Sequence, residues 1–191
     1  KVSVIIPTYN RKNIVLKSLK SVINQTYKNI EIIIVDDGST DGTKDTIESY
    51  IIKNKINNIK YYYQENSGVS EARNNGVIHS TGSIICFLDS DDEWKETKLE
   101  YQMFLLENNE NISFVVSNEN PIKKEIAEIS YLKFRDLLYK NVVNTSTVLV
   151  RKNVLEDVGL FNTKQRYSED YNLWLRILYK YNGIIINKSL V

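Results

Sequence analysis

The chain has 191 residues, a length that favours one domain because hydrophobic cores usually grow to about 100 to 200 residues before a chain divides. Hydrophobic residues make up 42% and charged residues 26% of the chain, which excludes a disordered or fibrous protein. The 25 Lys and Arg side chains balance 24 Asp and Glu side chains, and a net charge of +1 creates no field that would attract nucleic acid or an anionic membrane.

The sequence predicts neither a membrane span nor a leader peptide. Its longest apolar runs, such as Ile84 to Leu88, are far shorter than the ~20 residues that cross a bilayer. Val2 to Ile6 lack the charged and apolar regions of a signal peptide, so we expect none. The single cysteine, Cys86, lies in an apolar run, which is typical of an inert core thiol in a reducing compartment. The apolar end at Val191 suggests a piece of a longer protein.

Short β-branched runs alternate with amphipathic stretches, which predicts an α/β fold. The predicted strands are Val2 to Ile6, Ile30 to Val35, Ile59 to Tyr63, Ser83 to Leu88, Phe114 to Val116 and Thr145 to Val150. The predicted helices are Val15 to Ile23, Thr43 to Ile51, a helix opening near Gly68, Leu99 to Leu106, Leu132 to Tyr139 and Leu173 to Tyr181. We expect one domain with a mostly parallel central sheet flanked by helices, in a Rossmann-like arrangement. The polar stretch from Asn108 to Ser130 is predicted to be a surface excursion.

Polar residues follow three of the predicted strands, at the edge where ligands bind in open α/β sheets. Pro7-Thr8-Tyr9-Asn10 follows the first strand, Asp36-Asp37-Gly38-Ser39 the second, and Asp89-Ser90-Asp91-Asp92 the fourth. Five carboxylates are therefore expected at one edge of the sheet.

The acids after the fourth strand predict a metal site. Asp89, Asp91 and Asp92 repel one another unless a cation or a donor compensates them, and Mg²⁺ and Mn²⁺ take such oxygen ligands. A calcium-binding loop is a poorer interpretation, because Trp94 stands where that loop requires glycine. Ser39 and Asp41 are interpreted as turn or helix-cap residues.

Three further features have both a structural and a functional interpretation. Arg73, in a glycine-bounded segment after the third strand, could meet a diphosphate, although a solvated arginine is the default. Glu169 and Asp170 follow a predicted N-cap, Ser168, and could be a general base or purely structural acids. The only histidine, His79, is expected at the surface, which excludes Ser-His-Asp and Cys-His catalysis.

Read in order, five segments resemble family 2 glycosyltransferases of the GT-A fold: Val2 to Arg11, Val35 to Ser39, Gly68 to Gly76, Leu88 to Asp92, and Ser168 to Asp170 with Trp174. The resemblance spans Val2 to about Trp174. It implies inverting, metal-dependent transfer of a sugar from a nucleoside diphosphate donor to a hydroxyl group. The expected donor is a UDP-hexose or UDP-N-acetylhexosamine, and the expected acceptor is a glycan or glycoconjugate. The donor half would be about residues 1–92 and the acceptor half about residues 93–191.

The resemblance also implies residue roles. Pro7 and Tyr9 would line the base of the nucleotide. Asp37, with Asp36 beside it, would contact the uracil or ribose. Arg73 would lie near the nucleotide. In the segment that follows the fourth strand, Asp89 and Ser90 would face the ribose or sugar. Mn²⁺ or Mg²⁺ would be held by Asp91 together with Asp89 and Asp92. Asp170 would be the general base, and the acceptor side would include Glu169 and Trp174. Because Trp174 also follows the helical spacing of apolar residues, it is equally well interpreted as a core residue.

The expected location is the cytoplasm, with an approach to the inner face of the membrane through segments outside this chain, and a homo-oligomer is left open. Two other functions are weighed. A nucleotide-sugar-binding or assembly module would bind UDP without turnover. A Mg²⁺-dependent phosphatase would need Asp-x-Asp after the first strand, where this chain has Pro7-Thr8-Tyr9-Asn10.

Overall fold

A computed structural model of the chain describes residues 1–118 and 128–191. In this part of the chain, eight strands form one sheet. The strands are β1 Val2–Thr8, β2 Ile30–Asp36, β3 Ile59–Tyr63, β4 Ile84–Phe87, β5 Ile112–Ser117, β6 Ile129–Leu132, β7 Leu149–Arg151 and β8 Asn182–Ile186. The helices are α1 Val15–Ile23, α2 Thr43–Asn54, α3 Val69–His79, α4 Lys98–Glu107, α5 Phe134–Tyr139, α6 Lys152–Val158 and α7 Glu169–Lys180. A 3₁₀ turn, Thr145–Thr147, precedes β7.

The strand order is β3-β2-β1-β4-β7-β5-β8-β6. The first four strands pair in parallel, with Val4 of β1 between Ile32 of β2 and Cys86 of β4. The other half is mixed, because β7 runs antiparallel to both β4 and β5, whereas β5 and β8 are parallel. The half of the sheet built by β1 to β4 is therefore entirely parallel, and the other half is mixed. The parallel half contains all three of the strand-end segments singled out from the sequence.

Both faces of the sheet are covered by helices, which explains why the central strands are apolar with little alternation. On one face, α1 packs on β1 and α4 packs on β5, and side chains such as Leu19 and Leu99 belong to one apolar cluster there. On the other face, α3 and α7 pack through Ala72, Val77 and Trp174. Gly76 lets α3 approach β1 closely, because a Cβ at this position would overlap Ile5 Cγ2. The α/β architecture with helices on both faces is the one that the sequence predicts.

The first four predicted strands are confirmed, but several later elements differ. Thr145–Thr147 is a 3₁₀ turn instead of a strand, because the Asn144 side chain accepts a hydrogen bond from the Ser146 amide over 2.8 Å. Leu132 ends β6 instead of starting a helix, and α5 begins only at Phe134. The carboxylate of Asp136 accepts from the Lys133 amide over 2.9 Å and caps that helix. The strands β6 and β8 and the helix α6 have no counterpart in the prediction.

The polar stretch from Asn108 to Ser130 is not a plain surface excursion. It contains β5, a mostly buried strand that includes the predicted strand Phe114 to Val116. Residues 119–127 lie outside the described part of the chain. Among residues 1–118 and 128–191, no helix combines the length and hydropathy needed to cross a bilayer, and the longest have 12 residues.

Candidate active site

A cavity of about 500 Å³ opens at the carboxyl ends of β1, β2 and β4. Ligands bind at this edge in open α/β sheets, and cavities of this volume accommodate small molecules. The cavity is lined by many of the residues singled out from the sequence, namely Pro7, Tyr9, Asp37, Arg73, Asp89, Ser90 and Asp91. Its other lining residues are Thr8, Arg11, Asn66, Gly68, Val69 and Ala72. The structure thus brings the three strand-end segments together around one space.

Arg73 is the central cation of this cavity. It lies on α3 and is 4% exposed, so the default of a solvated arginine is wrong. Its guanidinium donates to Asp89 Oδ1 over 2.7 Å and to Glu169 Oε1 over 3.2 Å, and its Cζ lies 5.2 Å from the centre of the Phe161 ring. Its Nε has no hydrogen-bond partner in the described part of the chain. The planar fork of Arg73 therefore links the end of β4 to the start of α7.

Asp37 organises the loop that forms another wall of the cavity. Its Oδ1 accepts from the Gln64 side chain and the Ser67 amide, each over 2.8 Å, and its Oδ2 accepts from the Gly68 amide over 2.9 Å. Gly68 has a φ of +93°, a backbone conformation that glycine adopts without strain. These bonds hold the loop before α3 against the end of β2.

Asp36 does not line the cavity, although the sequence groups it with Asp37. It is fully buried, its Oδ1 accepts from the Ser39 amide over 2.8 Å, and its Oδ2 accepts from the Tyr61 hydroxyl over 2.6 Å. Successive side chains of a strand point to opposite faces, which separates Asp36 from Asp37. The expected contact of Asp36 with the nucleotide does not fit this position, and its carboxylate stabilises the strand end instead.

The acids after β4 do not form one cluster. The Asp92 amide donates to the Asp89 carbonyl over 3.0 Å, which makes residues 89–92 a tight turn. Asp89 is compensated by Arg73, whereas the half-exposed Asp91 faces Arg11 over 3.3 Å. Asp92 is not among the cavity-lining residues, so its position does not support the expected role as a metal ligand. Much of the repulsion that the sequence implied is thus relieved by two arginines.

Glu169 and Asp170 begin α7, as the sequence predicts, but Ser168 does not cap it through its side chain. Ser168 has a φ of +54° and makes no side-chain cap bond, although its carbonyl accepts the Asn172 amide over 3.0 Å. Glu169 is bound to Arg73. The carboxylate of Asp170 instead faces the 3₁₀ turn, where its Oδ2 accepts from the Thr145 hydroxyl over 3.3 Å. The two neighbouring acids therefore have different partners.

Trp174 lies in the core, which is the second of its two interpretations. It is completely buried and contacts the rings of Phe87, Phe114 and Phe161. One turn beyond Asp170, its side chain points into the sheet instead of along the cavity. A place on the acceptor side does not fit this burial.

The structural interpretations of the remaining polar residues are confirmed. Asp41 accepts from the Thr43 amide and the Lys12 amide, each over 3.0 Å, which is a turn and cap role. The Ser39 hydroxyl accepts from the Asn10 amide over 2.8 Å. His79 is exposed at the end of α3 and stacks on Tyr62 with ring centres 4.1 Å apart. Burial raises the pKa of the Cys86 thiol to about 11, so this thiol is inert at neutral pH.

Comparison with known proteins identifies the family. The model of glycosyl transferase family 2 matches residues 3–158. The chain belongs to this family. The Escherichia coli enzyme WfaP, a UDP-Glc:alpha-D-GlcNAc-diphosphoundecaprenol beta-1,3-glucosyltransferase, is 37% identical over 181 residues, which are 94% of this chain and 70% of WfaP. The family 2 glycosyltransferase fold thus carries the cavity described above.

Solved structures show the same GT-A fold. Staphylococcus aureus TarS 1-349 in complex with UDP has a TM-score of 0.83 at 22% identity, covering 100% of this chain and 59% of that chain. The mannosyltransferase PcManGT from Pyrobaculum calidifontis, in complex with GDP-Man and Mn²⁺, has a TM-score of 0.77 at 22% identity, covering 95% and 53%. The chain therefore spans less than two thirds of either of these two proteins.

Two carboxylates on the wall of the cavity fit a divalent cation. Among residues 1–118 and 128–191, no three His, Cys, Asp or Glu side chains are grouped as a metal site. However, Mg²⁺ and Mn²⁺ usually need only one or two carboxylates, because substrate phosphates and water supply the other oxygen ligands. Asp91, with 53% of its side chain exposed, and Asp89, with 32%, provide such a pair on the wall of the cavity.

The sequence patterns assign no role to several residues that line or support this cavity. Arg11 lines the cavity beside Asp91, and its position after the first strand was the signal that could have found it. Thr145 and Ser146 contact Asp170 and Asp89, respectively. No local sequence pattern marks these two residues. They reach the site because the 3₁₀ turn that carries them precedes β7, which runs antiparallel to β4.

Proposed function

We propose that this domain transfers a sugar from a UDP-sugar, a UDP-hexose or UDP-N-acetylhexosamine, to a hydroxyl of a glycan or glycoconjugate, with inversion at the anomeric carbon. The observation that carries this proposal is the arrangement around Arg73, which joins the Asp89 carboxylate of the donor edge to the first turn of α7. WfaP, whose name gives UDP-Glc as its donor, supports the choice of donor class.

The nucleotide end of the donor would lie between β1 and the loop before α3. Tyr9 is 50% exposed at the mouth of the cavity, so its ring is available to stack on a base, and Pro7 lines the wall beside it. Asp37 holds the Ser67 and Gly68 amides in place and retains carboxylate lone pairs for a further donor group. These residues favour a planar, polar ligand such as a nucleoside.

The diphosphate end would face Asp89, Ser90 and Asp91. Two carboxylates beside a diphosphate would place like charges in contact, and a divalent cation would compensate them in addition to Arg73 and Arg11. Asp91 and Asp89 would hold Mn²⁺ or Mg²⁺ in this arrangement. When bound, such a cation stabilises, as a Lewis acid, the negative charge that develops on the leaving diphosphate.

Asp170 is the general base in this proposal. An inverting transfer needs a carboxylate that removes the proton of the acceptor hydroxyl as this oxygen attacks the face opposite the leaving group. Glu169 pairs with Arg73, whereas Asp170 accepts from the neutral hydroxyl of Thr145 and from the Tyr171 amide at the start of its helix. The helix N-terminus also favours a negative charge at this position.

The cytoplasm is the compartment that we propose for this reaction. The unpaired Cys86 is buried, as expected for a protein of a reducing compartment.

A donor panel tests the proposed activity. UDP release is measured for several UDP-sugars with and without acceptor glycans, in Mn²⁺ and in chelator. We expect acceptor-dependent UDP release with at least one donor in Mn²⁺ and none in chelator. UDP binding without release from any donor would support the binding-module alternative and contradict the proposal.

A further inference from the structure

The 3₁₀ turn Thr145–Thr147 is buried between the two halves of the site. Thr145 is 3% exposed, and Ser146 and Thr147 are fully buried. The turn is closed internally, because the Asn144 side chain accepts from the Ser146 amide over 2.8 Å and the Thr147 hydroxyl donates to the Asn144 carbonyl over 2.6 Å. A buried polar turn with its hydrogen bonds satisfied is rigid and holds its neighbours in a defined position.

Ser146 holds the acidic turn that follows β4. Its Oγ accepts from the Asp89 amide over 3.0 Å, and its carbonyl accepts from the Trp94 indole nitrogen over 2.8 Å. The segment from Asp89 to Trp94, which includes Asp91, is thus fixed at both ends by one residue. A change at Ser146 would therefore move the carboxylates proposed to hold the cation.

A buried polar network supports the turn from the opposite side. The Gln102 side chain donates to the Thr147 carbonyl over 2.8 Å, and its oxygen accepts from Lys98 Nζ over 2.7 Å. Lys98 Nζ also lies 4.0 Å from the centre of the Trp94 ring. The turn is consequently anchored in the interior by buried side chains.

Thr145 extends from the same turn to the start of α7. Its hydroxyl donates to Asp170 Oδ2 over 3.3 Å, and the burial of Thr145 leaves water little access to that bond. One rigid turn therefore contacts the acidic turn through Ser146 and the Asp170 carboxylate through the preceding residue. These two contacts fix the spacing between the two groups.

We propose that Ser146 and Thr145 are positioning residues that set the distance between the diphosphate end of the donor site and the Asp170 carboxylate. This assignment rests on the proposed function, in which Asp89 and Asp91 face the diphosphate and Asp170 is the base. Ser146 then acts on donor binding, and Thr145 acts on the transfer step. Two adjacent residues thereby have separable effects.

Steady-state kinetics of the full chain with Mn²⁺ test this division. Thr145→Val removes the hydroxyl without a loss of volume, and we expect kcat to fall about tenfold or more while donor KM changes less than about twofold. Thr145→Ser restores the hydroxyl and should recover kcat to within about threefold of the wild-type value. Ser146→Ala leaves the Asp89 amide without its acceptor, and we expect donor KM and the dissociation constant of UDP to rise about five- to tenfold with kcat nearly unchanged.

A double-mutant cycle separates positioning from a general loss of stability. If Thr145 acts through Asp170, Thr145→Val should change the residual single-turnover rate of Asp170→Asn by less than about twofold. Thr145→Ala, which also lacks the hydroxyl, should show the same division between kcat and KM. Thr46→Val is the matched control, because it removes a hydroxyl that donates to the Gly42 carbonyl at the start of α2, and kcat and KM should be unchanged.

Three results would overturn the assignment. One is equal effects of Thr145→Val and Ser146→Ala on kcat and KM, and another is additivity with Asp170→Asn. The third is transfer that is insensitive to Thr145→Val, which contradicts this assignment alone. Absence of transfer by the wild-type protein would instead contradict the proposed function and this assignment with it.

Discussion

Arg73 donates to Asp89 Oδ1 over 2.7 Å, so a buried guanidinium neutralises the first acid of the strand-end turn. The same guanidinium reaches Glu169 on α7 through its second nitrogen. An arginine makes both contacts at once because its donors form a planar fork, whereas a lysine carries one compact charge. The link between donor edge and α7 therefore depends on arginine specifically.

Arg73→Lys is expected to lower the affinity for UDP in Mn²⁺ by about tenfold, since one of two charge-assisted hydrogen bonds is lost. Isothermal titration calorimetry measures this change. Arg135→Lys is the control, because the Arg135 side chain is 75% exposed and pairs with its neighbour Asp136 at 3.8 Å. An Arg73→Lys protein that binds UDP as tightly as the control would show that the bridge does not shape the donor site.

Asp170→Asn is expected to reduce transfer by at least about a hundredfold, because general-base catalysis contributes about 10² to 10⁴ in rate. UDP affinity should be nearly unchanged, since Asp170 does not line the cavity. Acceptor-dependent UDP release and calorimetry measure the two quantities.

Glu169→Gln is the paired variant for Asp170→Asn. It should reduce transfer less, because a glutamine oxygen can still accept from Arg73 although the charge is lost. If Glu169→Gln abolishes transfer while Asp170→Asn keeps it within a few fold, the base is Glu169.

The sequence predicted the half of the sheet built by β1 to β4 better than the other half, for a physical reason. The strands β1, β2 and β4 are buried on both faces, so they are predominantly apolar, and polar residues mark their ends. β7 has only three residues. The first half of the strand predicted from Thr145 to Val150 is instead a 3₁₀ turn, which the Asn144 side chain holds. Such tertiary and side-chain determinants leave no periodic signal in the sequence.

The site was predicted by residue type but not by orientation. Asp36 and Asp37 are adjacent in sequence, yet only Asp37 lines the cavity, because strand residues alternate in direction. The burial of Arg73 and of Trp174 likewise depends on how α3 and α7 pack, which no local pattern specifies. The contacts of Ser146 join residues more than 50 positions apart and are invisible without the fold.

The buried Lys98 predicts a pH dependence of stability. Burial lowers the pKa of Lys98 from 10.5 to about 8, so the unfolded chain binds more protons than the folded protein between these pH values. Stability therefore rises with pH through this window, and it is lowest below pH 8 where Lys98 is charged in both states.

From pH 7 to pH 9, the wild-type unfolding free energy should gain about 1 kcal/mol relative to that of Lys98→Met, which lacks the titrating group. Urea denaturation at the two pH values measures the difference. An unfolding free energy that does not rise from pH 7 to pH 9, relative to that of Lys98→Met, would show that folding does not lower the pKa of Lys98.

The most direct test of the central claim, that the cavity at the carboxyl ends of β1, β2 and β4 is a donor site completed by a cation at Asp91, is calorimetric titration of UDP with Mn²⁺ and with chelator. We expect the wild-type protein and Asp41→Ala to bind UDP only in Mn²⁺, because Asp41 serves the turn before α2. Asp91→Ala should lose this Mn²⁺-dependent binding. Equal binding in Mn²⁺ and chelator, or loss of the dependence in Asp41→Ala with retention in Asp91→Ala, would contradict the account.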